Sequence, residues 1–139
     1  MPPSTSFRIS HSARTRLAAR AVQEGRSATS LLDQLIVEGI DQLDHPGVVF
    51  RGPAQDRRAA LAGGPDVWEV IARLQDLEGS EEHRIGVLSA ESSLHPRFIR
   101  IALDYAAEHA DDVRRRIEQN RAVASRSQTA AQQRQELLA

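Results

Sequence analysis

The chain has 139 residues, a net charge of −1 and no cysteine, and only 4% of its residues are aromatic. The lack of cysteine excludes disulfides and thiolate metal sites and fits a reducing compartment. No apolar run approaches the roughly 18 residues that a membrane-spanning helix needs, and the first residues lack the features of a signal peptide. We therefore expect a soluble, cytoplasmic protein with cores built from Leu, Ile, Val and Ala.

Charge is distributed unevenly along the chain. Residues 1–26 carry five arginines and one acid, residues 44–112 have a net charge of −6, and residues 113–139 have a net charge of +4. Two basic ends flanking an acidic middle indicate two separate contacts with polyanionic or acidic surfaces.

The first predicted element is a short strand in which apolar and polar residues alternate. Phe7 and Ile9 share one face, and Ser6, Arg8 and Ser10 share the other. Because a lone strand leaves its backbone groups unpaired, we expect it to pair with its copy from a second chain. Such a ribbon fits the DNA major groove, where Arg makes a bidentate contact with guanine. The pattern predicts base reading by Ser6, Arg8 and Ser10, with most of the specificity in Arg8.

Two helices follow the strand. The first is predicted over residues 12–24, with Gly25 at the position past a helix end that needs positive φ. Ser27 is placed to cap the second helix, whose start offers unpaired N–H groups and a positive dipole end to a phosphate. We therefore expect the DNA backbone to be clamped by Ser27, Ala28 and Thr29. The apolar face of the first helix is predicted to consist of Leu17, Ala21 and Val22.

The second helix carries a broad apolar stripe with i, i+3, i+4 spacing. Its members are Leu31, Leu32, Leu35, Ile36, Ile40 and Leu43. Together with the apolar face of the strand, this stripe predicts a homodimer or higher homo-oligomer. The expected dimerisation residues are Phe7, Ile9, Leu32, Ile36 and Ile40.

The string TSFRISHSARTRLAARAVQEGRSATSLLDQLIVEGIDQL resembles ribbon-helix-helix repressors of the Arc and MetJ type, a fold also used by many bacterial antitoxins. The resemblance covers about the first 43 residues. It implies base reading from the strand positions and phosphate contact at the start of the second helix. Members commonly have longer polar side chains at all three strand positions, whereas this chain has two serines. The alternative is an amphipathic helical hairpin with a frayed N-terminus.

A second unit is predicted from Asp44, because the residues Asp44-His45-Pro46-Gly47 break the second helix. Residues 48–50 are interpreted as a short buried strand or turn. Helices are then predicted over residues 55–62, from Pro65 through residue 77, after Ser80, and after His95-Pro96. The apolar residues of the second of these are Val67, Val70, Ile71, Leu74 and Leu77, and those of the last are Phe98, Ile99, Ala102, Leu103 and Ala106. Two helices joined by a short turn form a helix-turn-helix shape.

The strings HPGVVFRGPAQDRRAALAGGPDVWEVIARL and LHPRFIRIALDYAAEHADDV are similar to the domain-of-unknown-function 433 family, a winged-helix-like module common in bacterial toxin-antitoxin operons. The similarity runs from about His45 to Val113. It implies a partner encoded nearby, a toxin with a PIN-like nuclease fold. Arg97 and Arg100 are spaced to contact DNA, but the negative charge of this region argues for a packing or dimerising role.

The last segment, residues 113–139, is rich in Arg, Gln and Ala and has too few apolar residues for its own core. We expect it to be partly helical or disordered alone and to order on a partner. An Arg fork can plug the carboxylate cluster that holds Mg²⁺ or Mn²⁺ in a PIN-like nuclease. The alternative is a solvated helical extension. The expected toxin-binding residues are Val113, Arg114, Arg115, Arg116, Ile117, Arg121, Arg126, Arg134, Leu137 and Leu138.

No pattern in the chain predicts catalysis. The histidines are scattered, the chain has neither Cys nor Lys, and no phosphate-binding loop or dinucleotide fingerprint is present. His45 and His95, each followed by proline, are interpreted as turn or capping residues. We therefore predict no enzymatic activity, no catalytic residues, no cofactor and no metal.

The sequence thus predicts a mainly α protein in three parts. These are a ribbon-helix-helix arm over residues 1–43, a helix-turn-helix or winged-helix-like domain over residues 44–112, and a basic helical tail over residues 113–139. The predicted function is that of an antitoxin that neutralises a PIN-like ribonuclease and represses its own operon. The alternatives are a stand-alone dimeric or tetrameric repressor whose second domain senses a ligand or oligomerises, and a scaffold that multimerises without DNA.

Overall fold

The computed structural model describes residues 4–139, which are mainly helical with one small antiparallel sheet. The chain divides into two units, Met1–Leu43 and Asp44–Ala139. None of the helices in the described range is both long and apolar enough to cross a membrane. In chain order the elements are α1 (His11–Glu24), α2 (Ala28–Asp44), β1 (Val48–Arg51), β2 (Arg58–Leu61), α3 (Val67–Gln75), α4 (Glu81–Ser92), α5 (Pro96–Glu108) and α6 (Ala110–Leu138).

The first unit is a pair of helices joined by a tight turn. Gly25 has φ of 65° and its N–H bonds back to the carbonyls of Ala21 and Val22, which ends α1 as predicted. The hydroxyl of Ser27 accepts the N–H of Ser30 at 3.1 Å, which confirms the predicted cap of α2. Val22 was predicted on the inner face of α1, but 82% of it is exposed. The inward positions belong to Leu17 and Ala21, four residues apart, and Val22 is rotated away from them.

Residues 4–10 have no regular secondary structure in the single chain. The predicted strand over residues 6–10 requires a second chain to pair with, so it stays a prediction. Ser10 has a defined local role, since its hydroxyl accepts the N–H of Ala13 at 3.0 Å and caps α1.

The second unit begins with a β-hairpin. β1 pairs with β2 in antiparallel register, from Val48 opposite Leu61 to Arg51 opposite Arg58. The prediction of a buried strand after Gly47 is confirmed, but the prediction of a helix over residues 55–62 is wrong. The alanines there have good helix propensity, yet Ala60 and Leu61 are fully buried when the segment pairs with β1. The turn depends on Gly52, whose φ is 103° and where a Cβ would lie 2.2 Å from the carbonyl oxygen of Asp56.

The core of this unit lies between the hairpin and helices α3, α5 and α6. The predicted apolar faces of α3 and α5 are confirmed, since Val67, Ile99 and Ala102 are fully buried. The cap of α4 at Ser80 is also confirmed, because its hydroxyl accepts the N–H of His83 at 3.2 Å. The buried residues of the core are Val48, Ala59, Leu61, Val67, Val70, Leu74, Ile85, Leu88, Ile99, Ala102, Tyr105, Ala106, Val113 and Ile117.

Asp66 joins the hairpin to α3. It is the buried N-cap residue of α3, so Pro65 precedes the cap instead of lying in the first helical turn as predicted. Its Oδ2 accepts hydrogen bonds from Nε of Arg58 at 2.8 Å and from Nε1 of Trp68 at 3.2 Å. The Asp66 hydrogen bond to Arg58 is the main cause that raises the pKa of the arginine.

Replacing Asp66 by Ala is expected to lower the free energy of unfolding by about 1 to 3 kcal/mol, because it leaves the Nε–H of Arg58 and the indole N–H of Trp68 without their acceptor, while the Arg58 guanidinium keeps its bond to Asp56. Urea unfolding followed by circular dichroism measures the change. Asp104→Ala, at an exposed position of α5, is the matched control and should change the stability by less than about 0.5 kcal/mol. Equal effects of the two substitutions would contradict this role of Asp66.

The last helix, α6, runs without interruption to Leu138. The sequence predicted partial helicity or disorder, whereas the structure has one helix of 29 residues, consistent with a stretch lacking Gly and Pro. Its first turns belong to the core of the second unit through Val113 and Ile117. From Glu118 onward its residues are exposed, apart from the half-buried Ala130 and Ala131.

Candidate nucleic-acid interface and partner surface

Arg26, in the turn between α1 and α2, is hydrogen-bonded to the first turns of α2. One guanidinium nitrogen of Arg26 donates to the hydroxyl of Ser30 at 2.8 Å, and another donates to the side-chain oxygen of Gln34. Only 14% of the Arg26 side chain is exposed. Arg26 therefore holds the start of α2 in place, while its charge is largely withdrawn from a DNA partner.

The predicted phosphate-contact residues lie at the exposed start of α2, and their contact with DNA stays a prediction. Ala28 and Thr29 are exposed, and as first-turn residues their N–H groups have no acceptor within the helix. The hydroxyl of Ser27 is already used as the helix cap. A phosphate at this position would therefore be bound mainly by backbone N–H groups and the helix dipole.

The predicted base-reading residues lie in the segment before α1. Ser6, Arg8 and Ser10 are all exposed. The hydroxyl of Ser10 accepts the capping hydrogen bond from Ala13, which fixes its orientation toward the helix. Arg8 is therefore the long polar side chain at this surface that is best suited to reach a base edge.

An unpartnered apolar surface lies on α2. Leu35, Ile36 and Ile40 are each about half exposed and Leu43 is more exposed still. In the described part of the first unit, Ala21 and Leu31 are the buried hydrophobic residues. Beside this surface lies an open groove of about 700 Å³ lined by Ile9, Ala13, Arg16, Leu17, Ala19, Arg20, Gln23, Leu31, Leu32 and Leu35. We call the half-buried Leu32 and the exposed Leu35, Ile36, Ile40 and Leu43 together the α2 face.

In the second unit, α4 and α5 are the two consecutive helices to which the predicted helix-turn-helix corresponds. Its two outward arginines are engaged within the unit: the Arg97 guanidinium lies 4.8 Å from the centre of the Phe98 ring, and Arg100 bonds the carboxylate of Glu82 at 3.0 Å. Pairing with a carboxylate removes much of the charge that a phosphate would attract. These contacts favour the packing role for this region over DNA contact.

Three of the predicted toxin-binding residues are used inside the second unit. Val113 and Ile117 are only 4% and 3% exposed and belong to its core, so they are not surface anchors. Arg116 is 16% exposed, and its guanidinium bonds Oδ1 of Asp56 at 2.9 Å and the carbonyl of Arg57 at 2.5 Å. The sequence could not separate these residues from the tail, because the hairpin loop that binds Arg116 lies about 60 residues away and α6 packs on α3, which is also distant in sequence.

The other predicted toxin-binding residues are exposed. Arg114 and Arg115 form ion pairs with Asp111 and Asp112, one helical turn earlier. Arg121 donates to the side-chain oxygen of Gln75 on α3 at 3.3 Å. The remaining predicted toxin-binding residues, all exposed, are Arg126, Arg134, Leu137 and Leu138.

Arg116→Gln is expected to raise the pKa of Asp56, because the Arg116 guanidinium is the main cause that holds this pKa below its ordinary value of 3.8. A depressed carboxyl pKa stabilises the folded state above that ordinary value, and the contribution is lost as the pH falls through the folded pKa. The stability difference between wild type and variant should therefore shrink on acidification. An NMR titration of the Asp56 carboxyl provides the check, and an unchanged pKa in the variant would contradict the assignment.

One cluster was missed by sequence reasoning. His45, which directly follows α2, lies against Glu108 and His109 at the junction of α5 and α6, with Nε2 of His45 2.8 Å from Oε2 of Glu108. His45 lies in the predicted turn, since its carbonyl accepts the N–H of Val48 at 3.0 Å, and its side chain is also buried. The neighbouring pair Glu108 and His109 was the only part of the cluster visible in the sequence, because His45 approaches them only in the folded chain.

Comparison with protein-family models, curated proteins and solved structures finds no match for this chain. Its function is therefore inferred from the exposure, charge and geometry of the two units.

Proposed function

We propose that the protein is a dimeric DNA-binding antitoxin that represses its own operon and neutralises a PIN-like ribonuclease through its C-terminal half. In this proposal the first unit is a ribbon-helix-helix arm. The second unit is a helix-turn-helix or winged-helix-like platform from which the exposed part of α6 extends to the toxin.

The observation that carries the proposal is the α2 face. The first unit has a small core and carries an exposed stripe of Leu and Ile on its own surface. A second copy of the chain can cover this stripe. Units of about 40 residues or fewer are usually stable only when oligomerisation, a metal or disulfides support them. The chain has no cysteine for disulfides. A second copy of the chain is therefore the expected source of additional stability for the first unit.

A dimer built through the α2 face also gives the N-terminal segment a partner. Pairing residues 6–10 of both copies would bury the largely exposed Phe7 and satisfy the backbone groups of both strands. The two copies of Arg8 would then lie on the outer surface of the ribbon. On each side of the ribbon, the start of α2 would offer its N–H groups to the DNA backbone.

Charge supports DNA binding by the first unit. Arg8, Arg14 and Arg16 are exposed, while Arg20 is paired with Glu24 at 2.6 Å. Cationic side chains that neutralise phosphates supply the sequence-independent part of DNA affinity. Residues 44–112 have a net charge of −6, and Arg97 and Arg100 are engaged within the second unit, so this part of the chain is expected to contribute little to that affinity.

The exposed part of α6 supports the second half of the proposal. Beyond Ile117 this helix carries Arg121, Arg126 and Arg134, and it ends in Leu137 and Leu138, both largely exposed. Arg forks pair with carboxylates in bidentate geometry, and terminal leucines supply apolar anchors. We therefore narrow the toxin-binding surface to residues 118–138.

The test of this function is co-expression with the adjacent reading frame. The proposal expects the neighbouring product to be toxic alone, to lose its toxicity in the presence of this chain, and to co-purify with it. If the neighbour is harmless alone and no complex forms, the antitoxin function is wrong.

A chain ending at Glu118 is expected to keep its fold and its DNA affinity but to lose neutralisation of the nuclease. The removed residues are almost entirely exposed, so the core of the second unit stays intact. RNA cleavage by the purified toxin and a DNA mobility shift provide the two readouts. The matched control is Arg84→Ala on α4, which should neutralise normally. Full neutralisation by the truncated chain would contradict this placement of the partner surface.

A further inference from the structure

His45, Glu108 and His109 form a compact cluster of donor atoms at one edge of the second unit. One ligand atom from each side chain can be chosen so that all three lie within 4.8 Å of one another. We propose that this cluster, here called the His-Glu-His site, binds one zinc ion per chain.

The donor set has the chemistry of zinc. Two imidazole nitrogens and one carboxylate oxygen are a combination that proteins use for tetrahedral zinc with an open fourth position. Magnesium and calcium prefer all-oxygen sites, and the chain has no cysteine that would favour copper(I) or an iron–sulfur cluster.

Zinc binding requires the donor atoms, which now lie within 4.8 Å of one another, to move closer to the metal. Ligand atoms about 2.0 to 2.1 Å from a tetrahedral zinc ion lie about 3.3 Å from one another. Nε2 of His45 and Oε2 of Glu108 are already 2.8 Å apart. His45 is only 8% exposed and is held by the core, whereas the Glu108 side chain is 65% exposed and can move to open the pair for the metal.

The surroundings orient the two imidazoles. The ring of His109 stacks on Tyr105 with centroids 4.2 Å apart, and the ring of His45 meets the same tyrosine edge-on at 5.3 Å. Tyr105 is buried, so it gives both imidazoles a fixed ring to pack against. Packing that fixes ligand orientation increases metal affinity.

An entry path is present beside the cluster. A shallow cavity of about 370 Å³ is lined by Ala107, Glu108, His109, Ala110, Asp111 and Asp112. The two aspartates lie in the first turn of α6, where Arg114 and Arg115 form ion pairs with them. A cation therefore reaches the site from solvent without unfolding any element.

Zinc at this position would tie the start of the second unit to the junction of α5 and α6. Because a metal that binds only the folded state stabilises it, the ion would add stability to this unit. This role is independent of DNA or toxin binding.

Isothermal titration of the full chain, free of any histidine tag, with ZnCl₂ tests the site. The expected result is one zinc per chain with a dissociation constant in the micromolar range or below, and a rise in melting temperature on addition of the metal. Glu108→Gln and His109→Asn should each weaken binding at least tenfold.

The control is His83→Asn, which removes an exposed histidine of α4 outside the cluster and should bind zinc like wild type. Circular dichroism verifies that all variants are folded. The proposal is overturned if wild type binds no zinc at millimolar concentration, or if both site variants retain wild-type affinity. It is also overturned if MgCl₂ binds as tightly as ZnCl₂.

Discussion

Replacing Ile36 and Ile40 together by Asp is expected to convert the proposed dimer into a monomer. Because each isoleucine is already about half buried in the single chain, covering the rest in the dimer would gain about 0.7 to 1.5 kcal/mol, and each Asp would instead place an unpaired carboxylate in an apolar contact. With two changes in each of two chains, the dissociation constant of the dimer should rise by roughly a thousandfold or more. Sedimentation equilibrium across a concentration series measures the effect.

Dissociation of the two copies should also destabilise the fold of the first unit. Since its described part buries few side chains, α1 and α2 are expected to lose helical signal when the double variant dissociates. Val22→Asp is the matched control, because this residue is exposed and does not line the groove beside the α2 face. A double variant that remains dimeric would exclude the α2 face as the interface.

Arg8→Ala is expected to abolish sequence-specific operator binding. A bidentate Arg–guanine contact is worth about 1 to 3 kcal/mol of discrimination. Because a dimer presents two copies, the loss should be roughly five- to 150-fold for each copy. The measurement is fluorescence anisotropy of the operator against a scrambled duplex, at fixed salt.

Arg8→Lys separates specificity from charge. Lysine keeps the positive charge but lacks the planar fork, so the variant should retain most non-specific affinity and its salt dependence while losing discrimination. Arg126→Ala, far along α6, is the control and should bind the operator like wild type. If Arg8→Ala leaves the ratio of operator to scrambled affinity unchanged, the base-reading role of Arg8 is wrong.

The local signals at helix ends were sufficient to predict much of the helical architecture. Gly25 and Ser27 mark the turn between α1 and α2, and Ser80 marks the start of α4, because capping is decided by a few neighbouring atoms. The apolar spacing on α3 and α5 likewise identified the faces that are buried.

The hairpin could not be predicted in the same way. The segment from Arg57 to Ala62 has the composition of a helix, and its pairing with β1 depends on the Gly52 turn and on a core supplied by α3 and α5. Tertiary packing decided between the two structures, and no local pattern contains that information.

The candidate surfaces were predictable only where they are local. The α2 face follows from one helical stripe, and its exposure follows from the small size of the unit. Arg116 and Val113 were predicted to bind the toxin because they begin a segment that is rich in Arg and poor in apolar residues. Their partners in the structure lie in the hairpin loop and the core, distant in sequence. The His-Glu-His site depends on the same kind of distant pairing.

The central claim is that residues 6–10 of two chains pair as a ribbon. Isotope-filtered NOE spectroscopy on a mixture of labelled and unlabelled chains tests it directly, because only contacts between different chains give a signal. The account predicts intermolecular NOEs between the backbone amides of residues 6–10, in an antiparallel pattern. A sample that is dimeric yet gives no intermolecular NOE from this segment would contradict it.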